Sequence, residues 1–217
     1  MNTNVKFPLL LVTLLALASP VVAQQTKAYD LQQLLKERKF ELYFPNPFSI
    51  TDTQNKKQFI IMNGLAWLTG EEFSTGTIEV DLKGYDVFQK SFLGIAFHGV
   101  DSATYDLVYF RPFNFRAEDP VRKIHAVQYT SEPEYTWHRL REEQNGIYEK
   151  AVTPAPAAED WFHAKIDVGV TDIKVYVDNA TTPSLVVKKL NNRKTGKIGL
   201  WNTGISGAFA NLKIIRQ

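Results

Sequence analysis

The sequence contains no cysteine among its 217 residues. Disulfide-stapled scaffolds are therefore excluded, and the fold must depend on its own hydrophobic core. A chain of this length can bury roughly 70% of the surface that its unfolded state exposes, so such a core is feasible. Export without cysteine fits a bacterial periplasm or secreted space better than an animal extracellular module.

An excess of charge of one sign is also missing. Lysine and arginine total 25 against 23 aspartate and glutamate residues, which gives a formal net charge of +2. Because this balance creates no strong field of either sign, we expect neither nucleic acid nor an anionic membrane surface as a partner.

Several motifs with defined chemistry are absent, among them G-x-S-x-G, a phosphate-binding glycine loop and the dinucleotide fingerprint. No pair of histidines has H-x-H or H-x-x-x-H spacing, so we predict no metal site and no cofactor. Calcium stays open as an alternative, because sandwich lectins often use loop carboxylates and Asp101 and Asp106 could contribute. The four histidines are His98, His125, His138 and His163.

Only one long apolar run is present, Phe7–Ala18, and it is too short to span a bilayer. Lys6 precedes it and the small-residue sequence Val21-Val22-Ala23 follows, which is the pattern of a secretory signal peptide. We therefore predict cleavage after Ala23, a periplasmic or secreted single domain of residues 24–217, and no membrane insertion. The oligomeric state is left open by the sequence.

Alternation of apolar and polar residues dominates the remaining chain, most clearly between residues 73 and 115. The runs Thr77–Lys83, Phe92–His98 and Tyr105–Arg111 each place alternate side chains on opposite faces, as half-buried strands do. In the second run Ile95 and Phe97 point inward and His98 outward. About ten such short strands, spaced 8–12 residues apart, predict an all-β fold: a two-sheet antiparallel jelly-roll sandwich.

Two short helices and one hairpin are predicted within this β pattern. Asp30–Lys39 is amphipathic and begins with a capping aspartate. A capping box that starts at Ser131 predicts an inserted helix near Glu132–Gln144. Asn63-Gly64 lies between two apolar runs and predicts a tight hairpin turn.

The runs GTIEVDLKG, FLGIAFHG, WFHAKIDVGVTDIKVYVDN and TGKIGLWNTGISGAFANLKI resemble the concanavalin A-like (laminin-G-like) sandwich. More narrowly, they are similar to exported bacterial domains grouped with the 3-keto-disaccharide hydrolases and related to family-16 glycoside hydrolases. The resemblance covers about Phe73–Ile215. It implies a jelly roll whose concave face handles saccharides, while a reaction does not follow from the fold.

The resemblance also supplies a catalytic hypothesis. Family-16 hydrolases have two catalytic glutamates on one strand, in an E-x-D-x-E or E-x-D-x-x-E motif, and Glu79 and Asp81 match its first two acids. Lys83 and Gly84 stand where the third acid belongs, so the second carboxylate of a retaining mechanism is missing. Glu79, Asp81 and His98 are thus candidate acid/base groups, and the competing interpretation is a solvated strand face.

Polar and aromatic side chains near the third strand give the main site hypothesis. Sugars bind where planar rings meet their C–H faces and forked donors and acceptors meet their hydroxyl groups. We therefore predict a saccharide-binding site on the concave face. A glycoside or keto-glycoside hydrolase and a structural or protein-interaction module remain the alternative functions. The predicted binding residues are His98, Tyr109, Arg111, Asn114, Gln128 and Trp137.

Overall fold

The computed structural model describes residues 24–43, 49–54 and 57–216. The predicted signal peptide, residues 1–23, lies outside them. In chain order the elements are β1 (Gln25–Ala28), α1 (Leu31–Lys36), β2 (Phe40–Tyr43), β3 (Ser49–Gln54), β4 (Lys57–Phe73), β5 (Gly76–Lys83), β6 (Ser91–Gly99), β7 (Tyr105–Phe110), the 3₁₀ turn η1 (Pro112–Asn114), α2 (Pro120–Lys123), β8 (Val127–Glu132), α3 (Trp137–Glu143), β9 (Glu149–Lys150), β10 (Phe162–Val168), β11 (Asp172–Val177), β12 (Leu185–Lys188) and β13 (Gly196–Arg216).

All paired strands are antiparallel and form two layers that share β13. The first layer has the order β12-β11-β10-β5-β13, with β1 beside the second half of β13. The second layer has the order β9-β8-β7-β6-β13, with β4 and β2 beyond. Residues 197–204 of β13 pair with β6 and residues 208–216 pair with β5, so this strand passes from one layer to the other.

The main core lies between the two layers. Ile78, Val80 and Leu82 of β5 belong to the same buried cluster as Ile95 of β6 and Val108 of β7. Their alternating neighbours point away from this cluster, as the period of two in the sequence predicted. The all-β jelly-roll prediction is therefore confirmed.

The N-terminal helix is confirmed in shorter form. The Asp30 side chain accepts a hydrogen bond from the Gln33 amide at 2.9 Å, and the helix ends at Lys36.

A smaller apolar cluster of Leu65, Trp67, Ala96, Leu107 and neighbouring aromatic rings covers part of the outer face of the second layer.

The inserted helix is present, but its predicted start at the Ser131 capping box was wrong. Ser131 and Glu132 still belong to β8, and Ser131 forms a bridge with Tyr135. The helix begins instead at Trp137, where the Thr136 side chain accepts a hydrogen bond from the Arg139 amide.

The hairpin predicted at Asn63-Gly64 was also wrong, because β4 runs through both residues without turning. Gly64 adopts a φ of 102°, a conformation that glycine tolerates without steric cost, and it pairs with Asn202 of β13. The register shifts between Asn202 and Gly207, so the positive φ accommodates a strand irregularity.

Candidate binding site

One row of residues crosses the outer face of the second layer in direct register. Trp201 of β13 is opposite Gly94 of β6, Gly94 is opposite Tyr109 of β7, Tyr109 is opposite Gln128 of β8, and Gln128 is opposite Glu149 of β9. Because residues in register share a face, this row across five neighbouring strands places one aromatic pair and two polar groups side by side.

Glycine at position 94 makes the aromatic pair possible. A Cβ atom there would lie 2.0 Å from the Val108 carbonyl oxygen and 2.6 Å from the Tyr109 Cα. The vacant position between Trp201 and Tyr109 lets their rings approach to 5.4 Å between centroids. The row therefore presents a continuous aromatic surface beside its polar end.

Arg111 lies two residues beyond Tyr109 and is nearly fully buried at this polar end. Its Nη1 donates to the His125 carbonyl oxygen at 2.9 Å, and its Nη2 donates to the Tyr109 hydroxyl oxygen at 2.5 Å and to Gln128 Oε1. The Tyr109 hydroxyl in turn donates to Gln128 Oε1 at 2.7 Å. The guanidinium plane is thus held in one orientation.

Glu149 is the counter-ion of this cluster. Its carboxylate accepts hydrogen bonds from Arg141 Nε at 3.1 Å and from Arg141 Nη2 at 2.9 Å, and it lies 3.4 Å from Arg111 Nη1. Burial alone would raise the pKa of Glu149, but the hydrogen bonds from Arg141 and the charges of both arginines outweigh it and hold that pKa below its ordinary value.

Two other titratable groups in the cluster have shifted pKa values. Burial raises the pKa of Tyr109 to about 12, so its hydroxyl stays protonated and remains a donor. Burial lowers the pKa of His125, although Glu149 Oε2 lies 2.8 Å from its Nδ1 and opposes that shift. Burial thus disfavours the charged forms of Tyr109 and His125.

Helix α3 and the segment after β7 form the walls of a pocket above the row. Trp137 and Arg141 lie one helical turn apart, with the guanidinium carbon 5.2 Å from the ring centroid. From the other side, Asn114 of η1 accepts a hydrogen bond from Arg122 Nε of α2 at 3.3 Å, and Arg122 Nη2 donates to the Phe113 carbonyl oxygen at 2.7 Å.

The pocket has a volume of about 540 Å³. This is enough for a small ligand, and rings and hydrogen-bonding groups alternate around it. None of the described residues that line it is an aspartate or a glutamate. The lining residues are Phe88, Gln89, Phe92, Tyr109, Arg111, Phe113, Asn114, Arg122, His125, Trp137, Arg141, Trp201 and Thr203.

Four of the six predicted binding residues line this pocket: Tyr109, Arg111, Asn114 and Trp137. Gln128 lies directly behind them, where its Oε1 accepts from both Tyr109 and Arg111. Trp137 is 47% exposed, so its ring is accessible at the pocket wall.

His98 does not belong to this group, and its predicted outward orientation was wrong. Between Ala96 and Gly99, β6 has one residue more than the β13 segment opposite it, and His98 in this bulge has a φ of 49°. The bulge reverses the alternation, so the imidazole is completely buried and stacks on Phe73. Its Nδ1 lies 2.8 Å from Asp106 Oδ2.

Glu79 and Asp81 lie elsewhere again, on the outer face of the first layer. Asp81 contacts His163 Nδ1 and Lys57 Nζ, each at 2.7 Å, and Glu79 contacts Lys213 Nζ at 2.5 Å. These residues line a second concavity of about 650 Å³. The structure therefore does not bring the three candidate acid/base groups together.

The protonation of Asp81 also differs from that of a catalytic acid. Burial alone would raise its pKa, but hydrogen bonds from His163, Lys57 and Asn211 lower the pKa of Asp81 to about 2. A general acid needs a raised pKa near the working pH, so this carboxylate is held in the ionised form.

The two carboxylates considered as calcium ligands lie in different environments. Asp106 is fully buried and forms an ion pair with Arg193 at 2.8 Å, whereas Asp101 accepts from the Ala103 and Thr104 amides of its own loop. Within residues 24–43, 49–54 and 57–216, no group of three or more potential His, Cys, Asp or Glu ligands is gathered.

Several residues that line the pocket or lie directly behind it were missed by the sequence analysis. Trp201 had a usable signal, because Ile198 and Leu200 alternate inward and leave Trp201 on the outer face. Arg122 had none, because it lies in the four-residue helix α2, which is too short for a periodic pattern. Glu149 stands in a strand of two residues, which is too short for any periodic pattern.

Comparisons with known proteins were made by sequence and by structure. No family model and no curated protein sequence matches the chain. Carbohydrate-binding module CBM66 from Bacillus subtilis superposes with a TM-score of 0.53 at 17% identity, covering 78% of this chain and 92% of that one. A Bacillus subtilis protein of unknown function with a galectin-like fold gives a TM-score of 0.56 at 11% identity, covering 88% and 94%.

The exoplasmic domain of VIP36, solved with Ca²⁺ and Man3GlcNAc bound, gives a TM-score of 0.51 at 10% identity and covers 83% of this chain and 84% of that one. The chain has a concanavalin A-like, galectin-like β-sandwich fold. This confirms, at the level of the fold, the resemblance found in the sequence. In the described part of the chain, no helix has the length and apolarity needed to cross a membrane.

Proposed function

We propose that this chain is an exported carbohydrate-binding domain that holds a saccharide in the pocket above Trp201, Tyr109 and Arg111, on the concave face of the second layer. The observation that supports it most is the row in register across five strands, which places two adjacent aromatic rings next to a guanidinium in a fixed orientation. Rings stack on the C–H faces of sugars, and oriented donors select among hydroxyl groups.

The rigidity of the polar end supports binding as well. Arg111, Tyr109 and Gln128 hold each other by hydrogen bonds, so little side-chain entropy remains to be lost when a ligand arrives. The similarity in fold to a carbohydrate-binding module and to a glycan-bound lumenal domain agrees with this proposal. Export is proposed from the N-terminal sequence pattern.

A hydrolase of the same fold has less support. A glycosidase needs two carboxyl groups that flank the scissile bond, one of them with a raised pKa. The described lining of the pocket includes no carboxylate, and Glu149 behind it is held ionised by Arg141 and Arg111. Binding without cleavage is therefore the function that we propose.

A glycan array tests this proposal. The purified chain is screened, each hit is measured by calorimetry, and the glycan is recovered and analysed afterwards. We expect saturable binding of an intact glycan that weakens about tenfold or more in Trp201→Ala, because that variant removes one stacking ring. Turnover of the glycan would contradict the proposal and favour the hydrolase. The absence of binding to any glycan of a broad panel would overturn the proposal.

A further inference from the structure

The charges around the pocket do not balance. Arg111, Arg122 and Arg141 all line it, and among the described residues the one carboxylate in contact with any of them is Glu149. Three guanidinium groups against one carboxylate leave two positive charges in a wall otherwise made of rings and amides. In the part of the chain that the structure describes, Arg122 has no ion-pair partner.

Acidic residues on the adjacent helix do not correct this imbalance. Glu143 of α3 pairs with Arg139 at 3.0 Å, and Glu142 lies 3.4 Å from His138. All of these side chains are largely exposed and none lines the pocket. The local excess of positive charge is therefore a property of the pocket itself, on a chain that is nearly neutral as a whole.

Hydrogen-bond donors are in surplus at the same place. Arg122 uses Nε and Nη2, Arg141 uses Nε and Nη2, and the Nη1 of each forms no hydrogen bond within the described residues. Gln128 Nε2 is buried and also lacks a partner there. Because Arg122 and Arg141 line the pocket, a ligand that supplies acceptors there can pair with their free Nη1 groups.

We propose that the saccharide bound here carries an anionic group, namely the carboxylate of a uronic acid or a sulfate ester. This inference rests on the proposed function and specifies its ligand. A guanidinium fork matches the paired oxygens of either anion, and the partly buried setting screens the attraction less than open solvent does. Phe92, Trp137 and Trp201 would contact the apolar faces of the same sugar.

Matched pairs of saccharides test the inference by calorimetry. The probes are oligosaccharides of galacturonate, glucuronate and mannuronate, each with its carboxyl-reduced neutral counterpart, and sulfated galacto-oligosaccharides with their desulfated counterparts. We expect at least one acidic member to bind about tenfold or more tightly than its neutral partner, and to weaken as sodium chloride rises from about 50 to about 500 mM. Preference for carboxylated or for sulfated probes identifies the anion.

Equal or tighter binding of the neutral counterparts would overturn the anionic ligand while leaving saccharide binding intact. Binding of no saccharide at all would overturn both proposals. The two failures are therefore distinguishable in one experiment.

Arg122→Gln and Arg116→Gln form a matched pair of variants. Each removes one positive charge from the same stretch of chain, but only Arg122 lines the pocket, and Arg116 is exposed and donates to the Ala155 carbonyl oxygen. We expect Arg122→Gln to weaken the acidic probe about tenfold and to reduce its preference over the neutral counterpart, and Arg116→Gln to change neither. An equal loss in Arg116→Gln would attribute the effect to net charge and overturn the assignment.

Discussion

The two concavities of this molecule are similar in size and opposite in how they use their polar groups. One lies above β13, β6, β7 and β8 and measures about 540 Å³; the other lies above β5 and β10 and measures about 650 Å³. Both contain ion pairs. In the second, Asp81 contacts three donors and Glu79 contacts Lys213, so each carboxylate has its own partner.

In the first concavity the polar groups are not all paired. Among the described residues its only counter-ion is Glu149, which is shared between two arginines, and donors on Arg122, Arg141 and Gln128 have no partner. Aromatic rings surround it, whereas one tyrosine is found among the described residues that line the second concavity. A cluster of paired charges is therefore a weaker indication of a binding site than unpaired hydrogen-bond donors beside aromatic rings.

The largest difference is expected between Arg111→Ala and Lys213→Ala. Removing Arg111 strips the Tyr109 hydroxyl and Gln128 Oε1 of a buried donor, so the free energy of unfolding should fall by about 3 kcal/mol, as when a buried ion pair is broken. Removing Lys213 breaks a partly exposed pair and should cost about 0.5 kcal/mol or less. Urea unfolding measured by circular dichroism checks both values.

Saccharide binding should follow the same division. Arg111→Ala is expected to abolish it, and Lys213→Ala to leave it unchanged, in calorimetry at a temperature where both variants are folded. Comparable losses of stability in the two variants would contradict the distinction between a buried network and a solvated strand face.

Trp137→Ala and Trp161→Ala compare one ring from each region. Trp137 is 47% exposed on the pocket wall, while Trp161 packs edge-to-face on Phe59 near the second concavity. We expect affinity for the bound saccharide to fall about tenfold in Trp137→Ala, because a stacking surface is lost, and to stay unchanged in Trp161→Ala. A loss of affinity in Trp161→Ala alone would move the site to the first layer.

The smallest effect is expected in the pH dependence of stability. The folded-state pKa of Asp81 is lowered to about 2, so its stabilising contribution is present above about pH 4 and is lost as the pH falls towards 2. The hydrogen bond to Asp81 raises the pKa of His163, so that contribution is present below its unfolded pKa and is lost as the pH rises through the folded value. The Asp81–His163 pair should stabilise the folded state most between about pH 4 and about pH 6.5.

Asp81→Asn should therefore lower the free energy of unfolding by at most about 1 kcal/mol in that pH window, after allowance for solvent screening. Thermal unfolding of the wild type and the variant from about pH 2 to about pH 8 gives the difference. His138→Asn, an exposed histidine on α3, serves as the control. A difference that does not narrow outside the window would refute the pairing.

The parts of the site that follow regular strand alternation were predictable from the sequence. Tyr109 and Arg111 alternate with Val108 and Phe110, and this pattern placed them on the outer face. Gln128 followed by the same rule from β8. Alternation is a local property of the chain, so one sequence is enough to show it.

What the sequence could not show depends on breaks in that alternation and on packing between distant segments. His98 turned inward because β6 contains a bulge that only its pairing with β13 defines. Gly64 had the signature of a turn, although its positive φ serves a strand irregularity. Arg122 reaches the pocket from a four-residue helix, and Glu149 lies behind the pocket on a two-residue strand; both elements are too short for a periodic signal.

The sharing of β13 between the layers has a consequence for how the chain folds. β13 pairs with β5 in one layer and with β6 in the other, and both partners lie about a hundred positions or more earlier in the chain. Both layers are therefore incomplete until β13, residues 196–216, has been synthesised. Contacts of such long sequence separation slow folding, because the loop between them must close first. We therefore expect the nascent chain to stay without a completed sandwich until β13 has been synthesised, and then to fold both layers in one cooperative step.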